Sequence, residues 1–143
     1  LLPDLQVKPG RAQVLVTSPI SDLPFSGCFH MEEGYYYFRN IHGRVLLGGG
    51  RHLDKLAETT YSHETSALIQ NELERILGQQ IIPGREYTIE HRWAGTMGMG
   101  ETKKPIVEEL PSGILVGVRM GGMGVAIGTR IGQELCELAL NRL

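Results

Sequence analysis

Cysteine is almost missing from this sequence. Cys28 and Cys136 are the only two, far apart and without a CxxC partner. That pattern excludes a disulfide framework and the usual zinc signatures. An excess of one charge is missing too: 14 Lys and Arg stand against 16 Asp and Glu, a net charge of -2. Nothing electrostatic therefore points to nucleic acid or to an anionic membrane surface. No apolar run is long enough to span a bilayer. No basic stretch followed by an apolar core opens the chain, so no secretory leader is expected. A reducing, cytoplasmic setting follows as the expectation. The five histidines (His30, His42, His52, His63, His91) do not fall at HxH or HxxxH spacing, so no metal site is expected. A GxSxG elbow and a GxxxxGK[ST] phosphate loop are both absent.

Glycine is plentiful, at 19 of 143 residues, and it gathers at the ends of apolar runs, where turns and bulges fall. The length suits one domain with a real core. Lys8-Pro9-Gly10-Arg11 reads as a turn into a strand over 12–17. Ser18 to Gly27, with two prolines, reads as a loop. Cys28, beside Phe29 and His30, is read as a small half-buried thiol. Tyr35 to Arg39 and Arg44 to Gly48 form a hairpin about Asn40-Ile41-His42-Gly43. His52 to Thr65 is polar and has no period. A helix runs from Ala67 to Leu77, capped by Thr65 or Ser66, with Ile69, Leu73, Ile76 and Leu77 on one face and Gly78 as its C′ residue. Tyr87 to Gly95 is extended, with Trp93 read as core. Met97 to Gly100 is a second glycine-rich loop. Short strands at 105–110 and 114–118 precede a final helix whose apolar side is Ile127, Ile131, Leu135, Leu138 and Ala139. About six strands joined by short turns, with two main helices, make an α+β fold with a mostly antiparallel sheet.

The stretch Gly117 to Gly128 stands out. An apolar strand runs into Arg119-Met120-Gly121-Gly122-Met123-Gly124, and a helix opens directly after it. Such a turn lets backbone approach a ligand and aims free N–H groups at it. A plain tight turn between strand and helix fits the same residues. Arg51, after three glycines, has two readings as well: a solvated turn residue, or an anchor for an anionic or polar ligand. In Tyr35-Tyr36-Tyr37 the middle ring takes the opposite face from its neighbours, so one face packs in the core and the other is free to line a pocket.

Taken in order, four segments resemble the C-terminal part of the D-amino-acid-oxidase-like family of flavin oxidoreductases, which includes glycine oxidase and sarcosine oxidase. Val7-Lys8-Pro9-Gly10-Arg11-Ala12-Gln13 is similar to the family's P-x-R-G-Q strand entry, with Ala12 for glycine. Tyr36 to Arg51 is similar to its substrate-domain hairpin. Trp93-Ala94-Gly95 followed by Pro105-Ile106-Val107 is similar to its W-x-G-x-R-P and later P-x-I/V-G segments. Gly117 to Gly128 is similar to its C-terminal flavin turn and helix.

The resemblance implies a partial substrate domain over 1–110. It also implies that 111–143 supply the last strand, the flavin turn and the helix of an FAD domain. The family's GxGxxG fingerprint, which holds the FAD pyrophosphate, is not in these 143 residues. The chain, which starts at Leu1 without an initiator Met, is therefore expected to be the C-terminal portion of a longer flavoenzyme. Its missing partner is an N-terminal FAD-binding domain, and FAD would be absent from this chain alone. Gly121, Gly122, Met123, Gly124 and Val125 are implied as cofactor-binding residues, meeting the pyrimidine edge of the flavin ring. Tyr36, Arg51 and Met97 are the substrate-side residues, and no side chain is assigned as acid or base. A small-molecule substrate of amine or amino-acid type is implied. Met97 stands where amino-acid-oxidising members carry the Arg of W-x-G-x-R-P, and the second Arg near Gly122 is also missing, so a standard α-amino acid does not follow. Arg39, Arg51 and Arg119 are the cations left to supply the charge, and Met97, Met99, Met120 and Met123 would make the pocket apolar and adaptable. A non-enzymatic module binding an anionic ligand or a protein partner is the rival reading. The oligomeric state is left open.

Overall fold

A computed structural model describes residues 5–141. By internal contacts the chain divides into two compact units. One is Arg11–Thr96. The other combines the chain through Gly10 with the chain from Met97 onward.

The first unit is built on a sheet of order β2-β3-β4-β1-β5. Its strands are β1 (Lys8–Thr17), β2 (Cys28–Met31), β3 (Tyr36–Ile41), β4 (Arg44–Gly49) and β5 (Ile89–Met99). The pairs β1–β4, β2–β3 and β3–β4 are antiparallel. The β3–β4 hairpin turns on His42 and Gly43, at φ 47° and 71°. Positive φ at both central residues is the two-residue turn that matches strand twist. Ile41 pairs with Arg44 across it. β2 was not expected, because Cys28-Phe29-His30-Met31 is too short to announce itself; its ladder to β3 makes it a strand. Cys28 is exposed rather than half-buried.

Helix α1 (Ala67–Ile76) starts where the Ser66 hydroxyl accepts from the Ile69 N–H. Its Ile69, Leu73 and Ile76 pack with Leu15, Tyr36, Val45 and Leu47 into one core. Each such side chain contributes about 1.5–3 kcal/mol by leaving water. Gly78 is not a C′ residue: the helix passes into a π turn over Leu77–Ile81, which keeps Leu77 and Ile81 in the core. The polar segment after β4 is held by buried polar contacts. Arg11 donates to Glu58 through Nε at 2.9 Å and Nη2 at 2.6 Å. Gln13 Nε2 donates to Glu58 Oε1 at 2.9 Å and to Ser66 Oγ at 3.0 Å, and Gln13 Oε1 accepts from Ser66 N at 2.9 Å. A segment without apolar period is thus ordered through charge and amide pairing. Trp93 is 43% exposed, a correction to its reading as core: it lies on the sheet among the residues of an open cavity of about 540 Å³ with Val16, Leu46 and His91.

In the second unit, β6 (Ile106–Glu109) and β7 (Leu115–Val118) form an antiparallel pair, and α2 (Gly124–Leu140) follows. Leu5, Leu110 and Val116 are its buried cluster. Met97 to Met99 belong to β5 rather than to a loop. Of the apolar side expected for α2, Ile131 is buried, Ile127 and Leu135 are half-buried, and Leu138 and Ala139 are exposed. Gly117 sets the closeness of β7 to this helix: a Cβ there would meet Ile131 Cγ2 at 2.6 Å and Leu135 Cδ1 at 2.7 Å.

Candidate functional site

The strand-turn-helix of the second unit is the candidate. β7 leaves the sheet at Val118, and Arg119 takes φ 61°, Gly121 56° and Gly122 88°. The left-handed backbone at the two glycines carries no side-chain penalty. The turn closes with Met123 N donating to Met120 O at 2.8 Å, and α2 begins at Gly124. Gly121 N donates to Gly98 O at 3.1 Å, which ties the turn to the end of β5. Among the described residues, no hydrogen bond uses the N–H of Gly122, Gly124 or Val125. These are the orphan donors of a helix start. The first turn of α2 has no acidic residue of its own to offset the positive end of its dipole.

Gly122, Gly124 and Val125 line an open cavity of about 480 Å³. Its walls are Val7, Met97, Gly98, Val118, Arg119 and Met120, with Gly121, Gly122, Gly124 and Val125 from the turn. A Cβ on Gly121 would meet nothing within 4 Å, while one on Gly122 would stand 3.1 Å from Met97 Sδ. Val125 is fully exposed and Met123 is 55% exposed. The arrangement can hold a flat, partly anionic group against backbone donors, with thioether and valine side chains around it.

Four of the five turn residues expected at a cofactor therefore share one cavity with Met97, and Met123 stands exposed beside them. Arg119 and Met120, expected as a cation and as an apolar wall, complete that cavity together with Val7, Gly98 and Val118, which were not foreseen. Tyr36 and Arg51 belong to the other unit. Tyr36 is 1% exposed, with its ring edge-on to His52 at 5.3 Å between centroids. Burial raises its phenol pKa, and the charges of Glu72 and Glu32 add to the rise. Arg51 is half-buried. Its Nε and the Nδ1 of His52 are buried without a hydrogen-bond partner among the described residues. Tyr35 covers His52, with ring centroids 4.2 Å apart. Among the described residues no group of three or more His, Cys, Asp or Glu could hold a metal ion, and no helix is long and apolar enough to cross a membrane.

The sequence matches the FAD dependent oxidoreductase family over residues 1–138, and the chain belongs to that family. No curated protein matches it. Among solved structures, the chain is similar to L-proline dehydrogenase from P. horikoshii, with TM-score 0.74 and 17% identity over 93% of this chain and 36% of that one. It is also similar to iminodiacetate oxidase from Chelativorans sp. BNC1, with TM-score 0.73 and 22% identity over 95% of this chain and 37% of that one. A third is L-amino acid deaminase from Proteus vulgaris, with TM-score 0.69 and 18% identity over 96% and 34%. At these identities the likeness is one of fold. The chain spans about a third of the length of each of these proteins.

Proposed function

We propose that this chain supplies the ring side of the flavin site, and part of the substrate domain, of an oxidoreductase that acts on an amine or amino-acid-like substrate. One observation carries the reading: Gly122, Gly124 and Val125, whose N–H groups have no hydrogen-bond partner among the described residues, line a cavity at the start of α2, whose first turn has no acidic residue. Membership of an FAD dependent family supports it. By role, residues 1–110 belong to the substrate domain, and 111–143 belong with the FAD domain.

FAD, when bound, would supply the acceptor for a hydride from the substrate carbon bonded to nitrogen. The residues of this chain fit that group: the glycines leave room for a flat ring edge, and fixed backbone donors favour negative charge there without reorganising. Gly121, Gly122, Met123, Gly124 and Val125 hold the ring edge. Met97, on the cavity wall, shapes the substrate side. Arg51, whose Nε has no acceptor among the described residues, is the proposed anchor for a polar or anionic substrate group. Tyr36 braces the Arg51 segment, since its ring packs on His52 and on the space beside Gly50. None of these side chains is required to move a proton.

The 143-residue chain by itself lacks a GxGxxG pyrophosphate site and is proposed to be inactive. The test is to express the longer reading frame and follow its visible spectrum as amines and amino acids are added without oxygen. Loss of flavin absorbance with an amine or amino acid supports the reading. A bound flavin that no such compound bleaches counts against it.

A further inference from the structure

Arg119 is a non-glycine residue at φ 61°, a conformation that L side chains rarely adopt, and it directly precedes the glycine turn. Strain of this kind persists only where the surroundings over-determine it. Here they do. The Nε of Arg119 donates to Lys104 O at 3.0 Å, and its Nη2 donates to Thr102 Oγ1 at 3.4 Å. Its stem lies over Gly100, where a Cβ would collide with Arg119 Cδ and stand 3.0 Å from its Cγ and Nε. A Cβ on Gly98 would stand 3.6 Å from Arg119 N, and the same Gly98 accepts the Gly121 N–H. Among the described residues that line the cavity, Arg119 is also the one that is charged.

We infer that Arg119 is a positioning residue: its side chain latches segment 100–104 to the glycine turn, and so sets the direction in which the N–H groups of that turn are presented. A guanidinium suits the task. It reaches a backbone carbonyl and a hydroxyl from one planar fork, where an ammonium offers a point. Gly98 and Gly100 give the stem its bed. The account rests on the reading of the turn as the flavin contact only for its consequence; the latch itself is a property of this chain.

The test uses the protein of the complete reading frame, with Arg119→Gly, Gly100→Ala and the double variant. Arg119→Gly removes both hydrogen bonds and also relieves the backbone strain, so global stability is a poor readout. Amide hydrogen exchange is the direct one. Exchange over 100–104 and 119–123 is expected to quicken about tenfold in Arg119→Gly, with little change in α1 of the other unit, and Arg119→Lys is expected to restore part of the protection. Gly100→Ala, by displacing the Arg119 stem, should give the same pattern. In the Arg119→Gly background Gly100→Ala should add nothing, because contacting residues couple. FAD dissociation constants, read by flavin fluorescence, should rise about tenfold in Arg119→Gly and in Gly100→Ala. Unchanged exchange in Arg119→Gly, or additive effects of the two changes, overturns the latch. Faster exchange with unchanged FAD binding overturns its positioning role. A wild-type protein that binds no FAD defeats the functional reading, and the exchange pattern still decides the latch.

Discussion

Arg11 and Glu58, 47 positions apart, form a buried bidentate ion pair that fastens the polar segment after β4 to strand β1. Both side chains are less than a tenth exposed. Breaking such a pair from one side leaves a buried charge with no partner, at a cost of about 3–5 kcal/mol. Glu58→Gln is therefore expected to lower the urea midpoint sharply. The double change Arg11→Met with Glu58→Leu is expected to recover much of the loss, because no charge is then stranded. A Glu58→Gln protein as stable as the parent contradicts this role.

Tyr36 gives the fold a sensitivity to alkali. Its phenol pKa is raised first by burial and then by Glu72 and Glu32, with Arg75 opposing. A raised folded-state pKa means that its contribution is complete below the unfolded value of about 10 and is lost as pH rises beyond it. Thermal midpoints are expected to fall between pH 9 and 11, and Tyr36→Phe should reduce that fall while leaving the midpoint at pH 7 close to the parent's. Tyr37 and Tyr87, also raised by burial, account for what sensitivity remains. An identical alkaline decline in Tyr36→Phe contradicts the assignment.

Gly117 is required by packing rather than by backbone conformation. A methyl group there meets Ile131 and Leu135 inside 3 Å. Gly117→Ala is expected to destabilise β7 and α2 by about 1–3 kcal/mol through overpacking. Circular dichroism melts read this directly. Leu135→Ala in the same chain should give part of it back, by making room for the new methyl.

What could be read from the residues was mainly local. His42-Gly43 carries its turn in two residues, Ser66 caps its helix by its own side chain, and Gly117 to Gly128 is a continuous pattern. The unforeseen parts depend on distant partners. β2 exists because Cys28 to Met31 find β3. β5 runs on past Gly95 to Met99, and there Gly98 O accepts from Gly121. The exposure of Trp93 follows from which sheet face is left uncovered, which alternation alone does not decide. The glycine turn was legible as a candidate site, whereas Val7 was not: it approaches Gly98 from more than ninety positions away.

Within the turn, Gly122 combines a φ of 88° with a close approach to Met97 Sδ, which a Cβ there would meet at 3.1 Å. Gly122→Ala is expected to strain the backbone by about 1–2 kcal/mol and to weaken FAD binding roughly tenfold. Gly84→Ala is the control, since Gly84 has φ 72° and open space around it in the other unit. It should cost similar stability without touching FAD affinity. Equal FAD affinity in the two variants contradicts the placement of the ring edge at the turn.

The central claim is that this chain forms one side of a flavin site and needs residues outside its 143 to hold the cofactor. The direct measurement is FAD per polypeptide, by absorbance after purification, for this chain and for the product of the longer reading frame. The account predicts about one FAD per polypeptide in the longer protein and essentially none in the 143-residue chain. A longer protein that takes up no FAD even when it is added in excess, or a 143-residue chain that holds it stoichiometrically, contradicts the account.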